Sequence, residues 1–267
     1  MNIIVCLKQI PDPEAPATKY SVDAGGKKMV PAPGVIQVVN PFDENAVEAG
    51  LQLKEAHGGQ VTVLTLGLRS SQEALKRALR MGADGAVQVD GQGLPEPAPL
   101  LTGYLLAKAV EKIGGCDLVL CGRQAGDWDQ GQVGVIVAEA LGFPCVTIVK
   151  GIQVTDGNTL RVRRLTEEGY DLLELSTPAV LTVTNEINQP RLTSVAHVLR
   201  ASKIAIPVWS IQDLGADPDL VKRLGSLARL EGLFMPEYGT QCQMISAETL
   251  EEEAMALAAA LRERKLV

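Results

Sequence analysis

The feature that most constrains this chain is the repeated alternation of short apolar runs with helical segments. Ile3 to Leu7 is a continuous apolar run, the mark of a strand buried on both faces. A Gly/Pro/Ala-rich excursion follows, through Gly25-Gly26 and Pro31-Ala32-Pro33-Gly34, and a helix then opens at Asn40. Asn40 can cap, Pro41 suits the first helical position, and Asp43 and Glu44 favour the positive end of the dipole. Ala46, Val47, Leu51 and Leu53 lie on or near one face, and Gly58-Gly59 stops the helix. Val61 to Leu66, Ala86 to Val89, Leu118 to Cys121 and Cys145 to Val149 read as strands. Gln72 to Arg80, Leu100 to Ile113 and Val133 to Leu141 read as the helices between them. Such an order needs crossover connections. The sequence therefore predicts an α/β fold with a mainly parallel, doubly wound sheet, helices on both faces.

The pattern changes near Lys150. Val154 to Val162 carries an Asp156-Gly157-Asn158 turn and Leu172 to Thr184 reads as further strand, which predicts an antiparallel addition to the sheet. After Pro207 come polar stretches with Pro218 and Pro236, then a helix from Thr249 to Arg264. This tail has few apolar anchors for a core of its own. The expected division is thus an α/β domain over 1–206 and, over 207–267, a C-terminal arm packed on another protein.

Composition narrows the function. At 46% hydrophobic residues the chain is globular, and with aromatics at 3% its core must be aliphatic. The net charge is −7 with no basic stripe, a poor match to a nucleic-acid partner. Cys6, Cys116, Cys121, Cys145 and Cys242 form no C-x-x-C pair, and only His57 and His197 could join them, so a zinc or iron–sulfur site is not expected. Several of these thiols sit in apolar runs as small hydrophobes, which fits a cytoplasmic protein. The N-terminal apolar run is too short for a signal segment, and no stretch is long enough to span a membrane.

The most informative run is Gly122-Arg123-Gln124-Ala125-Gly126-Asp127-Trp128-Asp129-Gln130-Gly131-Gln132-Val133. It leaves a buried strand and enters a helix, so in a parallel sheet it lies at the carboxyl edge, where ligands bind. Glycines permit close backbone approach, and helix N-terminal amides hold anions. A phosphate at Gly131 to Val133 is one reading; an ordinary βα loop whose glycines only turn the chain is the other. A P-loop is excluded, because G-x-x-x-x-G-K-[ST] is missing, and no G-x-G-x-x-G follows the first strand.

Several spaced motifs resemble electron transfer flavoprotein β subunits. They are Lys8-Gln9-Ile10-Pro11-Asp12 after the first strand, Val39-Asn40-Pro41-Phe42-Asp43-Glu44-Asn45-Ala46-Val47-Glu48, Ala78-Leu79-Arg80-Met81-Gly82-Ala83-Asp84, and Gly122-Arg123-Gln124-Ala125 with Asp127, Asp129 and Gln132. The stretch Val162-Arg163-Arg164-Leu165-Thr166-Glu167-Glu168-Gly169-Tyr170-Asp171-Leu172-Leu173, then Pro178-Ala179-Val180-Leu181-Thr182 and Asn188-Gln189-Pro190-Arg191, resembles the family signature. The matches run in order to about Lys203.

The resemblance implies a Rossmann-like, adenine-nucleotide-binding subunit that carries electrons and catalyses no bond chemistry alone. It implies an α-subunit partner that holds most of one FAD, and an AMP in the β subunit, or a second FAD there in electron-bifurcating members. Carried over, the nucleotide touches Cys6, Asn40, Pro41, Phe42, Asp43, Leu66 and the loop Gly122 to Val133. Cys6 and Leu66 line the adenine; Asp129 and the amides of Gln130 to Val133 face ribose and phosphate. Arg191 to Arg200 matches the segment that docks to a flavin-dependent dehydrogenase, with Arg191, Leu192, Val195, Val198 and Leu199 as contacts.

Departures pull both ways. Trp128 stands where many bifurcating members have glycine, which favours AMP, whereas Gln132-Val133-Gly134 is closer to the bifurcating group. Asp171 and Leu165 also depart from the signature. Two rivals lie in other classes. An ATP-cleaving enzyme of similar sheet order needs a Ser/Gly phosphate loop after the first strand, which Lys8 to Asp12 does not supply. A nucleotide-binding sensor domain has no use for the long arm or the docking segment.

Overall fold

The chain, seen in a computed structural model, is described over residues 1–95, 98–236 and 242–267. It divides into two compact units, Met1–Leu233 and Phe234–Val267.

In the first unit, β1 (Asn2–Cys6) runs through the centre. The excursion after it forms two small antiparallel ladders, β2 (Gln9–Pro11) with β5 (Gln37–Val39), and β3 (Tyr20–Val22) with β4 (Met29–Pro31). Then come α1 (Pro41–His57), β6 (Gln60–Gly67), α2 (Gln72–Met81), β7 (Gly85–Asp90), α3 (Pro99–Ile113), β8 (Leu118–Gly122) and α4 (Val133–Leu141). After them lie β9 (Cys145–Asp156), β10 (Thr159–Thr166), β11 (Gly169–Ser176), β12 (Ala179–Val183), α5 (Val195–Ala201), β13 (Val208–Trp209) and α6 (Pro218–Ser226).

The main sheet has nine strands in the order β11-β10-β9-β12-β8-β1-β6-β7-β13. From β1 the chain winds outward through β6 and β7, then returns to place β8 on the other side of β1. The order reverses between β1 and β8, and in sheets of this kind ligands bind outside the strand ends at such a switch point. All pairings from β12 through β13 are parallel. As expected, β9, β10 and β11 form the antiparallel addition.

One expectation needs correction. Leu172 to Thr184 is not a single strand. It breaks at Thr177-Pro178 into β11 and β12, and β12 turns back into the sheet parallel to both β8 and β9. Pro178 has no N–H for the ladder, so the break falls where a proline dictates.

Two aliphatic cores cover the sheet. One lies under α1 and α2, with Ile3, Val5, Leu51, Leu75 and Leu79. The other lies under α3 and α4, with Ile4, Leu64, Leu101, Leu105 and Val137. The predicted inner residues of α3, Leu101, Leu105, Ala109 and Val110, are all buried. Helix α1 is covered more fully than one apolar stripe requires: Asn45 and Glu48 are buried along with Ala46, Val47 and Leu51. The segment after β12 crosses its outer side. There Asn45 Nδ2 donates to the Asn188 carbonyl at 2.9 Å, and Asn188 Nδ2 donates to the Asn45 carbonyl at 3.1 Å.

The second unit contains α7 (Leu250–Glu263). Thr249 caps it by accepting the Glu252 N–H at 3.3 Å, and Glu251, Glu252 and Glu253 occupy its first turn. None of its residues is buried within the chain; Leu250, Met255 and Leu257 are exposed. Among the described residues no helix is long and apolar enough to cross a membrane.

Candidate functional site

At the switch point, the ends of β1 and β8 are tied together by the start of α1. Cys6 pairs in register with Cys121 across these strands. Just beyond them, the backbone N–H of Lys8 donates to Asp43 Oδ2 at 2.7 Å and that of Gly122 to Oδ1 at 3.0 Å. Asp43 stands in the first turn of α1, where the sequence explains it by the helix dipole alone. Its longer reach fixes the mouth of the crevice. Burial pushes its carboxyl up to about 7, against the pull of the amides of Lys8 and Gly122 and the Asn40 side chain.

Asn40 does the same for the loop. Buried just before α1, it donates from Nδ2 to the Gln124 carbonyl at 2.8 Å and accepts the Gly126 N–H at Oδ1 at 3.2 Å. Lys8 Nζ reaches Asp127 Oδ2 at 2.6 Å. Phe42 lies under the Arg123 guanidinium, 5.4 Å from ring centroid to carbon. Thus Asn40, Phe42 and Asp43, around Pro41 at the first position of α1, hold Gly122 to Gly126, and Lys8 holds Asp127. Within the loop, Gln124 Nε2 donates to Asp129, which takes a left-handed backbone (φ 56°), and the Asp129 N–H donates to the Ala125 carbonyl at 2.8 Å. Trp128 is half-buried; Gln130, Gly131 and Gln132 are exposed.

The glycines have more than one reason. A Cβ at Gly122 would press on Asp43 and sit 2.7 Å from Phe42 Cβ, so this glycine lets α1 close on β8. A Cβ at Gly126 would meet Ile10 at 3.3 Å, and one at Gly134 would meet Cys121 Cβ at 3.3 Å and crowd Thr182. These positions answer to packing inside the protein. Gly131 adds a conformational reason: it has φ 62° just before the helix entry, and a Cβ there would also meet the Arg123 carbonyl at 3.2 Å.

The entry to α4 has a ligand-accepting character. Gln132 makes no side-chain cap, and no acidic residue occupies the first turn, so no capping side chain claims its leading amides. Beside them, Leu66 and Val133 pack on the same core as Cys6 and Cys121. The hydrogen bond with Cys6, together with burial, pushes the Cys121 thiol well above its ordinary range. The buried Cys6 and Cys121 side chains and their aliphatic neighbours form an apolar floor next to the helix end. An adenine base with a phosphate fits that donor set.

The segment Arg191 to Arg200 is separate from this site. Arg191 is not a free contact: its guanidinium donates to Glu48 at 2.7 and 3.0 Å and to Glu55, both on α1. It fastens the segment so that Ser194 can cap α5 by accepting the His197 N–H at 3.2 Å. Beyond that anchor Leu192 is 90% exposed and Val195 78%, with Val198 and Leu199 also exposed. These four make an outward apolar row. His197 points the other way, its Nδ1 buried without a hydrogen-bond partner among the described residues, at a cavity of about 180 Å³ bordered by Lys54, Glu55, Arg191 and Arg200.

Sequence reasoning missed Glu48, Lys8 as a partner of Asp127, and Ile10 under Gly126. For Glu48 the available signal was a carboxylate amid the buried stretch Ala46 to Leu51.

The family model for the electron transfer flavoprotein domain matches residues 34–214, a span that includes the loop, its α1 clamp and the segment Arg191 to Arg200. The chain belongs to the electron transfer flavoprotein family, as a β subunit. It is 36% identical to an electron transfer flavoprotein subunit beta of Clostridium acetobutylicum, with 95% of each chain covered. It is 34% identical to the caffeyl-CoA reductase-Etf complex subunit CarD of Acetobacterium woodii over the full length of both. Protein FixA of Azorhizobium caulinodans is 35% identical with 89% of each covered. As an electron transfer flavoprotein subunit, the chain serves in electron transfer as one part of a complex. Among the described residues, no three His, Cys, Asp or Glu side chains gather as a metal site.

Proposed function

We propose that this β subunit pairs with an α subunit that holds most of one FAD, and that the heterodimer passes electrons from a flavin dehydrogenase to a downstream acceptor. In this reading the chain is a carrier subunit with no bond chemistry of its own, working in the cytoplasm, where its free cysteines stay reduced. Its own nucleotide is a structural AMP. The observation that carries the nucleotide reading is the uncapped entry of α4 beside the Cys6–Cys121 floor, at a switch point fixed by Asp43 and Asn40.

Cys6 and Leu66 would bound the adenine, and the amides of Gln130 to Val133 the phosphate. FAD, when bound with α, supplies the electron-carrying chemistry. This chain positions and shields. Asp129 already accepts from Gln124, so its charge is turned into the loop and away from a phosphate. The bifurcating alternative, a second FAD in β, leaned on Gln132-Val133-Gly134. Gly134 is explained by its contact with Cys121 and Thr182, which weakens that argument. The exposed apolar residues of α7, Leu250, Met255 and Leu257, suit an arm laid on the α subunit.

The test is coexpression with an electron transfer flavoprotein α subunit. The heterodimer should copurify with a flavin that a dehydrogenase bleaches and an external acceptor restores. A complex that forms but whose flavin no dehydrogenase reduces would contradict the carrier role.

A further inference from the structure

A cleft of about 300 Å³ lies between α2 and the chain leaving α5. Its walls are aliphatic, with Val198, Ile204 and Ile206, and Ser202 stands at its edge. Its rim is basic, with Lys76 and Arg80 of α2. Lys76 is engaged with Glu73 at 2.7 Å, but among the described residues Arg80 makes no ion pair. Glu73 also feels the charge of Arg80, so two cations share one carboxylate and the rim keeps a net positive charge beside the apolar hollow, on a chain whose net charge is −7. Val198 belongs both to the cleft and to the exposed row of α5, so hollow and row form one continuous surface.

We infer that this cleft is the receiving half of the dehydrogenase contact: it takes one large aliphatic or aromatic side chain, carried on an acidic segment of the partner. The inference rests on the docking reading of α5. It adds the partner's chemistry: the β subunit offers Leu192, Val195 and Leu199 outward and accepts an anchor beside them. At about 300 Å³ the hollow is at the lower end of small-molecule sites, which run to about 1,000 Å³, and suits a single side chain better than a nucleotide. A buried anchor with a charged rim is how protein contacts divide affinity from steering: the anchor sets the off-rate, and the rim sets the on-rate and its salt dependence.

The test uses the intact heterodimer and a flavin dehydrogenase that reduces it, with steady-state kinetics at low and high salt. Ser202→Trp, an exposed position at the end of α5, plugs the cleft; Arg80→Glu reverses its rim. Each should raise KM for the dehydrogenase at least tenfold, with kcat and flavin content unchanged, and Arg80→Glu should also flatten the salt dependence of KM. If both variants stay within twofold of wild type while Val195→Ala is impaired, the cleft inference fails and the docking reading stands. If Val195→Ala is also unimpaired, the docking reading itself fails. Self-association of the wild-type heterodimer that Ser202→Trp abolishes would assign the cleft to a second copy and overturn the inference.

Discussion

The carboxylate of Asp43 accepts the backbone N–H of Gly122 at 3.0 Å, bolting the first turn of α1 to the end of β8. Its other oxygen holds the N–H of Lys8 at 2.7 Å. One buried side chain thus sets the spacing of the two strands that flank the crevice.

Asp43 makes stability depend on pH in a defined sense. Burial lifts its carboxyl from an ordinary 3.8 to about 7. A group raised in the folded state contributes stability that is fully present below the ordinary value and lost as pH climbs through the raised one. The advantage of wild type over Asp43→Asn in urea unfolding should therefore shrink between about pH 4 and pH 8. The variant should still be the less stable, by about 1–3 kcal/mol, because its amide cannot accept both backbone donors. A constant difference across that range would show that Asp43 keeps one charge state.

Gly122→Ala places a methyl group against Asp43 and 2.7 Å from Phe42 Cβ, where backbone and helix cannot both hold. The expected loss is about 1–3 kcal/mol of stability, the usual cost of overpacking. Nucleotide content should fall with it, because the clamp and the loop share this residue. Gly126→Ala, with a looser contact to Ile10 at 3.3 Å, should be milder in the same unfolding assay.

Arg191 should matter for stability and less for contact. Its pair with Glu48, itself 5% exposed, and with Glu55 holds both carboxylates, and Glu55 is drawn below its ordinary range by Arg191. Arg191→Ala leaves Glu48 without its counter-ion, with only the Gln52 side chain and the residue-191 N–H as donors. Loss of a fully buried partner costs about 3–5 kcal/mol, and since Arg191 is partly exposed the cost here should be about 1–3 kcal/mol. Arg191→Lys should restore only part, having no fork to span two carboxylates. Thermal unfolding of the three proteins checks the order.

Val195 is the converse case. At 78% exposed it supports nothing in the fold, so Val195→Ala should leave stability within about 0.5 kcal/mol and flavin content unchanged. If it anchors the dehydrogenase, truncation should cost about 2 kcal/mol of binding, near a thirtyfold slowing of electron exchange at low concentration. Stopped-flow reduction at matched flavin content separates the two.

These cases show what the sequence could and could not convey. Strand and helix identities from Ile3 to Val149 follow from apolar periodicity and glycine stops, which are local; the cap expected from Asn40 does not form, because its side chain bonds Gln124 and Gly126 instead. So does the hairpin turn at Asp156-Gly157-Asn158. The return of Ala179–Val183 into the parallel sheet was hidden, because an apolar run fits a central strand in either direction. The ladders of β2 with β5 and β3 with β4 are three residues per strand, too short to show alternation. The loop from Gly122 to Val133 was legible by motif, yet its fastening was not. Asp43–Gly122 and Arg191–Glu48 join positions far apart in the chain, and no local pattern records such pairs.

The central claim is an AMP at the entry of α4. Its most direct test is to denature the purified heterodimer and quantify the released nucleotides per complex by mass spectrometry, for wild type and Gly131→Glu. Gly131 is exposed at φ 62°, so glutamate there strains the turn and sets a negative charge where a phosphate would sit. The account predicts one FAD and one AMP from wild type, and FAD without AMP from the variant, with a lower melting temperature because the bound ligand no longer stabilises the fold. Two FAD and no AMP from wild type would contradict it.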